Sequence, residues 1–238
     1  MEQMILSNAR ASMDIKPPAT IPFVLYERIR QMIIDGTLAP GQPLREQELE
    51  RRFGTSRSPI REALRLLQLN GLATHQQRRG FRVVLYTERE IAQIYLLRGE
   101  LESYAMREVA RCDDVEPLLS SLRDACERLA ARDPLRDAAS HLSIMRDAFL
   151  HIVEFVQNPP LAEAVKRLNE RCEPLRYNLS RQGADVGALA GYLRRILQAL
   201  ERRDFDGAAA ARRECARWIL PLVVRAYAAQ LNDAQPAR

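Results

Sequence analysis

Apolar residues recur at helical spacing in three stretches near the start of the chain. The first runs from Phe23 to Ile34 and is ended by Asp35-Gly36, and the second, EQELERRFG, ends at Gly54. The third, TSRSPIREALRLLQLNG, ends in Asn-Gly and has proline in its first turn. Its apolar spacing predicts a buried face made of Ile60, Leu64, Leu67 and Leu69.

Two short extended runs follow these helices. LATHQQ and FRVVLY are joined by a turn at Arg78-Arg79-Gly80, which is the pattern of a β-hairpin. Three helices followed by a hairpin predict a winged helix-turn-helix over residues 21–86. A generic helical bundle explains the helices alone, but it does not predict the hairpin.

The remaining chain predicts an all-helical bundle over residues 87–232, so the fold class is mainly α. Thr87 and Glu90 form a capping box for a helix that reaches about residue 111. Pro174 and Pro221 fall inside periodic stretches, where we expect kinks. Residues 1–20 are predicted to be a flexible arm and 233–238 a tail. The further predicted helices cover 114–132, 134–157, 160–182, 186–203 and 205–230.

Composition excludes several classes of protein. The 238 residues suffice for two domains, and 47% hydrophobic with 28% charged residues is typical of a globular chain. No apolar run reaches the roughly 18 residues of a membrane-spanning helix, and the start lacks a signal-peptide core. The four cysteines are scattered without a CxxC pair, which predicts reduced thiols. We therefore expect a cytoplasmic protein without membrane association.

The excess positive charge lies in the first third of the chain. Residues 1–86 contain 13 basic and 8 acidic side chains, whereas the rest contains 23 of each. All basic residues except Lys16 and Lys166 are arginine, which suits bidentate contacts with phosphates and guanine edges, although genome composition explains much of that preference. This asymmetry favours a basic module for a polyanion joined to a neutral module with another task.

The third helix has the side chains that a DNA-recognition helix needs. Short polar and arginine residues crowd its N-terminal end, and further arginines follow at one-turn spacing. The hairpin places two more arginines at its tip, with Arg82 beside them. Each arginine alone could be an ordinary surface charge, but their joint placement predicts a DNA-binding surface. The residues are Ser56, Arg57, Ser58, Arg61, Arg65, Arg78 and Arg79.

These residues also carry a family resemblance. The segment PLREQELERRFGTSRSPIREALRLLQLNGLATHQQRRGF strongly resembles the winged-helix domain of GntR-type bacterial transcription regulators. The helical remainder resembles the ligand-binding FCD domain of the FadR subfamily, with Arg98 and Glu102 spaced i, i+4 and an Asn158-Pro159 junction. The resemblance implies DNA contacts by Ser56, Arg57, Ser58, Arg61, Arg79 and Gly80. One family arginine is replaced by Gln47, and we expect nearby Arg45 to substitute for it.

Many FCD domains bind a divalent metal through one Asp and three His, beside a small carboxylate. Aligned on Asn158-Pro159, these positions fall on Met145, Phe149, Leu193 and Cys215, which cannot form that site. We therefore predict neither metal nor other cofactor. The alternative is a shifted site that uses Asp147 and His151, spaced i, i+4 on one helix.

The same four positions predict a more apolar effector pocket, with Arg98 available for an acid group. The expected effector is an organic acid with an apolar part, larger or more apolar than a citrate-like acid. The alternative is that these residues only fill the core and bind nothing.

The resulting hypothesis is a sequence-specific transcription regulator, usually a repressor in this family. It binds a double-stranded DNA operator as a homodimer, because two copies of one recognition helix match a two-fold operator. An enzyme is not expected, since there is no Ser/His/Asp set, phosphate-binding loop or HExxH motif. The remaining alternative is an effector-independent or architectural DNA-binding protein.

Overall fold

The computed structural model describes residues 20–233. The predicted arm and tail lie outside the described residues, apart from Thr20 and Asp233 at their inner ends. Within this range a winged-helix unit precedes a helical bundle, which confirms the predicted fold class. The N-terminal elements are α1 (Ile21–Ile34), β1 (Pro43–Leu44), α2 (Glu46–Phe53), α3 (Arg57–Leu69), β2 (Ala73–Gln76) and β3 (Gly80–Val83).

The hairpin belongs to a three-stranded antiparallel sheet with the order β1-β3-β2. Gln76 of β2 lies opposite Gly80 of β3, and Pro43 of β1 lies opposite Arg82. The sequence did not predict β1, because two residues are too short for an alternating pattern. This strand exists only through its pairing with β3.

The predicted buried face of α3 is correct at Ile60, Leu64 and Leu67 but wrong at Leu69. Leu69 is 76% exposed. It follows Leu67 by two residues, which turns its side chain about 200° around the helix and away from the core. Ala63, which the pattern did not include, is fully buried instead.

Six α-helices form the second unit within the described residues. The capping box at its start is confirmed: the Glu90 N–H donates to Thr87 Oγ1 at 3.2 Å, and the Thr87 N–H donates to Glu90 Oε2 at 2.8 Å. Pro174 and Pro221 lie inside continuous helices, and the kinks expected there stay predictions. The helices are α4 (Glu88–Glu108, followed by a 3-10 turn at Val109–Arg111), α5 (Glu116–Ala130), α6 (Ala138–Phe155), α7 (Pro159–Arg181), α8 (Ala188–Glu201) and α9 (Phe205–Asp233).

The helix predicted at 134–157 begins later than expected, at Ala138. The Asp133 carboxylate accepts a hydrogen bond from the Leu135 N–H at 2.9 Å, which holds a turn in front of α6. Short acidic side chains commonly compete with helix formation in this way.

Each unit has its own hydrophobic core. One cluster runs from Leu25 to Val83 and the other from Tyr86 to Tyr227. None of the helices within residues 20–233 combines the length and apolar character needed to cross a membrane.

Helices α4 and α9 approach each other closely at Gly99. A Cβ atom on Gly99 would lie only 2.8 Å from Cβ of Ala216. One turn later, the Ser103 hydroxyl lies 2.7 Å from the Gly99 carbonyl and 3.0 Å from the Ala209 carbonyl. The hydrogen position of this hydroxyl lets it bond either helix, which suits a narrow interface.

We predict that Gly99→Ala lowers the free energy of unfolding by about 1–3 kcal/mol, because the added methyl group overpacks the α4–α9 interface. Urea denaturation measures this change. Gly191→Ala on α8 is the matched control, since a Cβ there would meet no atom of residues 20–233 within 4 Å. The free energy of unfolding of that variant should rise by about 0.5–1 kcal/mol, because alanine has a higher helix propensity than glycine. Equal stability of the two variants would contradict the prediction.

Candidate nucleic-acid interface and ligand cavity

The N-terminal half of α3 presents its polar side chains to solvent. Ser56 is the N-cap residue in extended conformation, although its side chain makes no capping hydrogen bond. Its side chain and those of Arg57, Ser58, Arg61 and Arg65 are exposed. The opposite face is anchored in the core by the apolar residues already described. The polar end of the helix is therefore open to solvent, and its predicted contact with DNA stays a prediction.

Two glutamates of α2, which the sequence analysis did not single out, hold the arginines of α3. The Arg57 Nε donates to Glu50 Oε1 at 3.1 Å and lies 3.4 Å from Glu46 Oε2. The Arg61 Nε donates to Glu46 Oε1 at 2.7 Å. Both arginine side chains remain about half exposed, at 52% and 54%. Because solvent screens exposed ion pairs, these contacts add little stability.

The hairpin tip has an unusual backbone conformation. Arg78 adopts a φ of +64° and Gly80 a φ of +73°, and the Arg79 N–H donates to the Gln76 carbonyl at 3.0 Å. The side chains of Arg78 and Arg79 are exposed. Arg82 has a structural role, since its Nη1 donates to the Gly41 carbonyl at 2.9 Å and ties the hairpin to the preceding loop.

A groove of about 790 Å³ joins α2, the start of α3 and the hairpin. It brings together four residues that sequence reasoning selected separately, namely Arg45, Arg57, Arg79 and Gly80. Arg45 donates to Glu48 at 2.8 Å and is 70% exposed. Arg51, which the sequence analysis did not select, also lines the groove. Ser56, Ser58, Arg61, Arg65 and Arg78 are not part of its lining.

The second candidate site is a cavity of about 40 Å³ enclosed by five helices of the bundle. Arg98, Met145, Phe149 and Cys215 line it, while the predicted fifth member, Leu193, is buried in the core outside the lining. This volume admits about three water-sized molecules in the present conformation. The other lining residues are Tyr95, Glu102, Leu142, Arg146, Arg176, Leu189, Arg212 and Ile219.

The cavity is more highly charged than the sequence predicted. Arg212 is 1% exposed, and its Nε donates to Glu102 Oε2 at 2.6 Å. Asn169 Oδ1 accepts from Arg98 Nη1 at 3.1 Å and from Arg176 Nη1 at 3.2 Å. Arg212 and Glu102 are 110 residues apart, so no local pattern indicated their pairing.

The cavity does not fit the metal that the family resemblance implies. Phe149 supplies no ligand atom, Met145 supplies only a soft thioether, and burial raises the pKa of the Cys215 thiol, so these positions lack the carboxylate and imidazole ligands of that site. Asp147 faces away and contacts Arg146 at 2.8 Å, and neither it nor His151 lines the cavity. Residues 20–233 contain no group of three or more His, Cys, Asp and Glu side chains arranged to hold a metal.

Comparisons with known proteins agree with this two-part architecture. Residues 24–83 match the model of bacterial regulatory proteins of the gntR family, and residues 93–217 match the FCD domain. The chain belongs to the GntR family of regulators with an FCD domain.

Two curated relatives of the GntR-family chain are named as transcriptional repressors. The gluconate operon transcriptional repressor of Bacillus subtilis (strain 168) is 34% identical over 115 residues, or 48% of this chain and 46% of the repressor. The transcriptional repressor RspR of Escherichia coli (strain K12) is 26% identical over 200 residues, or 81% of this chain and 84% of RspR. The chain spans about half the length of the first curated relatives it matches, 44% to 48%.

Solved structures share the fold of this GntR-family protein. E. coli McbR/YncC has a TM-score of 0.70 at 22% identity, covering 87% of this chain and 99% of that one. A GntR-family regulator from Pseudomonas syringae has a TM-score of 0.53 at 28% identity, covering 92% and 91%.

Helix α7 connects the two units of the GntR-family chain. Glu170 accepts two hydrogen bonds from Arg30 of α1, at 2.6 Å from Nε and 3.0 Å from Nη2. The hydrogen bond that Arg30 donates to Glu170 is the largest cause of the raised pKa of Arg30. Tyr86 adds a second link, because its hydroxyl donates to the Gly71 carbonyl at 3.0 Å and its N–H donates to the Tyr227 hydroxyl at 3.0 Å.

We predict a coupling free energy of about 1 kcal/mol between Arg30 and Glu170 in a double-mutant cycle with Arg30→Ala and Glu170→Ala. The pair is bidentate and partly buried, so it should exceed an exposed pair. Urea unfolding at low and high salt measures the coupling and its screening. The control pair Glu163–Arg167 is about two-thirds exposed, and about 0.3 kcal/mol is expected there. Equal couplings in the two cycles would show that the Arg30–Glu170 bridge does not stabilise the junction.

Proposed function

We propose that this protein is a sequence-specific DNA-binding transcription regulator that acts as a repressor. The observation that carries the proposal is the arginine-lined groove that joins α2, α3 and the hairpin. B-DNA's major groove is about as wide as one helix, and its base edges present a different donor and acceptor pattern for each pair. In the proposal α3 enters the major groove, and no catalytic step is assigned to the chain.

The contacts divide by position. Arg57 and Arg61 are one turn apart on the exposed face of α3 and suit guanine edges, while Ser56 and Ser58 flank the helix start, where free N–H groups suit a phosphate. Arg65 lies a further turn along. Arg78, Arg79 and Gly80 at the hairpin tip contact the backbone or minor groove beside it, and Arg45 contacts the backbone from the start of α2. Base specificity therefore rests on α3, and the hairpin adds sequence-independent attraction.

Two copies of the chain act together in this proposal. A single helix of this length contacts only a few base pairs, and a homodimer doubles the contacted sequence through a two-fold operator. The name of the B. subtilis relative describes a repressor, which supports the proposed direction of regulation.

The proposed effector is an organic acid with an apolar part. It binds in the cavity, where Arg98 supplies a positive charge and Met145, Phe149 and Cys215 supply apolar walls, with Leu193 behind them. Binding an acid much larger than the present volume requires the surrounding helices to separate. Ligand binding thereby selects between two helix arrangements.

Helix α7 provides the connection from cavity to DNA-binding unit. On the cavity side of α7, Asn169 accepts hydrogen bonds from Arg98 and Arg176, which line the cavity. The next residue, Glu170, accepts a hydrogen bond from Arg30 of α1. A shift of α7 that follows ligand binding therefore changes the position of α1. Because α1 packs on α3, the operator-binding helix moves with it.

We predict that Arg57→Ala lowers affinity for an operator selected from random duplexes by about tenfold or more. It should also lower the ratio of operator affinity to affinity for an unrelated duplex. Arg78→Gln is the matched control, since it removes one charge from the hairpin. It should weaken binding to the operator and to the unrelated duplex by the same factor. It should also reduce the slope of log K against log salt concentration by about one. Fluorescence anisotropy measures both. An equal loss of affinity for the operator and the unrelated duplex in Arg57→Ala would contradict the proposal and favour a non-specific architectural role.

A second prediction concerns the glutamate shared by the two arginines. Glu46→Gln should tighten binding to every duplex by up to about fivefold, because it removes a carboxylate that competes with DNA for Arg57 and Arg61. The same anisotropy titration measures the change. Glu108→Gln, which removes an arginine-paired carboxylate from the helical bundle, should have no effect. Weaker binding by Glu46→Gln would show instead that Glu46 positions the arginines for DNA.

A further inference from the structure

The wall of the bundle cavity approaches solvent at one side chain. Of the twelve described residues that line the cavity, eleven are buried. The twelfth is Arg146 of α6, whose side chain is 31% exposed. Because protein covers the other lining residues, the shortest way from solvent into the cavity passes Arg146.

A second pocket, of about 120 Å³, lies on the outer side of Arg146. We call it the outer pocket. It shares three lining residues with the cavity, namely Leu142, Arg146 and Arg176, so these side chains separate the two spaces. The outer pocket therefore lies between solvent and the cavity. Its other lining residues are Ile34, Ala139, Ser143, Glu173, Tyr177 and Ser180.

A carboxylate on α7 holds the two arginines at this boundary. Glu173 Oε1 accepts from Arg146 Nη1 at 3.1 Å and from Arg176 Nη2 at 2.5 Å. Burial opposes ionisation of Glu173, but the guanidinium groups of Arg176 and Arg146 outweigh it and lower the pKa of the carboxyl group. Arg146 also donates to Ser143 and Asp147, which belong to its own helix. Glu173 is thus the group that ties Arg146 to α7.

This tie can open without a large free-energy cost. The side chains of Arg146 and Glu173 are 31% and 18% exposed, and ion pairs that water can reach contribute little net stability. Side chains in contact with solvent also rotate much faster than helices move as units. Rotation of Arg146 away from Glu173 therefore joins the outer pocket to the cavity while the helices stay in place.

The DNA-binding unit contributes to the outer pocket. Ile34, the last residue of α1, is one of its lining residues, and the others belong to α6 and α7 of the bundle. The outer pocket thus lies at the junction of the two units. A change in the position of α1 alters the opening of this pocket to solvent.

We propose that small molecules enter the bundle cavity through the outer pocket, and that the ion-paired chain Arg146–Glu173–Arg176 is the gate. Because Ile34 belongs to the mouth, the position of the DNA-binding unit controls access to the gate. This inference rests on the proposed function only in treating the cavity as the effector site.

Cys215 in the cavity wall provides a readout of this route, because it is 2% exposed and reacts only with a reagent that enters. Its thiolate attacks the sulfenyl sulfur of methyl methanethiosulfonate, forms a methyl disulfide and releases methanesulfinate. Peptide mass spectrometry after timed exposure of the full chain gives the modification rate of each cysteine. Cys172 is the internal control, since it is fully buried and lines neither pocket. Cys215 should react faster than Cys172.

Glu173→Gln should raise the modification rate of Cys215 about fivefold, because it weakens the tie between Arg146 and α7. Glu163→Gln is the matched control. It removes an arginine-paired carboxylate from the exposed face of the same helix, so the rate should not change. Equal rates in Glu173→Gln and the parent protein would overturn the gate.

Ala139→Trp tests the route without changing the gate. Ala139 is exposed and lines the outer pocket, so an indole there should block the mouth and slow Cys215 to about the rate of Cys172. Ala228→Trp, at an exposed position of α9 outside this pocket, should leave the rate unchanged. An unchanged rate in Ala139→Trp would overturn the route.

The internal control separates entry through the pocket from unfolding. If Cys172 and Cys215 were modified at equal rates in the parent and in every variant, the reagent would enter by local or global unfolding, and the proposal would be wrong. Neither DNA nor effector takes part in this experiment. Its failure therefore leaves the operator and effector assignments intact, and a failure to bind operator DNA leaves the modification rates unaffected.

Discussion

The buried ion pair between Arg212 and Glu102 is the constraint on which the helical bundle depends. A charged group without its partner in this interior would cost about 3–5 kcal/mol, so the two helices must keep both groups in register. Gly99 allows the close approach of α4 and α9 that makes the pairing possible. The position of the cavity, between this interface and α6, follows from that register.

Local patterns in the sequence were sufficient for most of the fold. Helical periodicity, the Thr87–Glu90 box and the hairpin turn each depend on residues close together in the chain. The misassigned Leu69 and the late start of α6 reflect single side chains, one facing solvent and one fixing a turn. The β1 strand could not be predicted, because its pairing partner lies about forty residues away.

In the candidate sites, too, the residues that the sequence could predict are those whose role depends on neighbours close in the chain. The exposed arginines of α3 and the hairpin follow from amphipathic spacing, so sequence reasoning found them. Glu46 was missed because its importance comes from contacting Arg61 across two helices. In a chain with 34 arginines, nothing local distinguishes Arg212 or Arg176 as buried. Their role depends on packing between distant helices, which only the folded structure displays.

The backbone at Arg78 has a consequence for how the hairpin tip tolerates change. A φ of +64° favours glycine, and a non-glycine residue held there adds about 1 kcal/mol of strain. The protein thus keeps a long cationic side chain at a position where glycine would make the folded state more stable. Stability and attraction for a polyanion are opposed at this one residue, so stabilising mutations selected without DNA will tend to accumulate there.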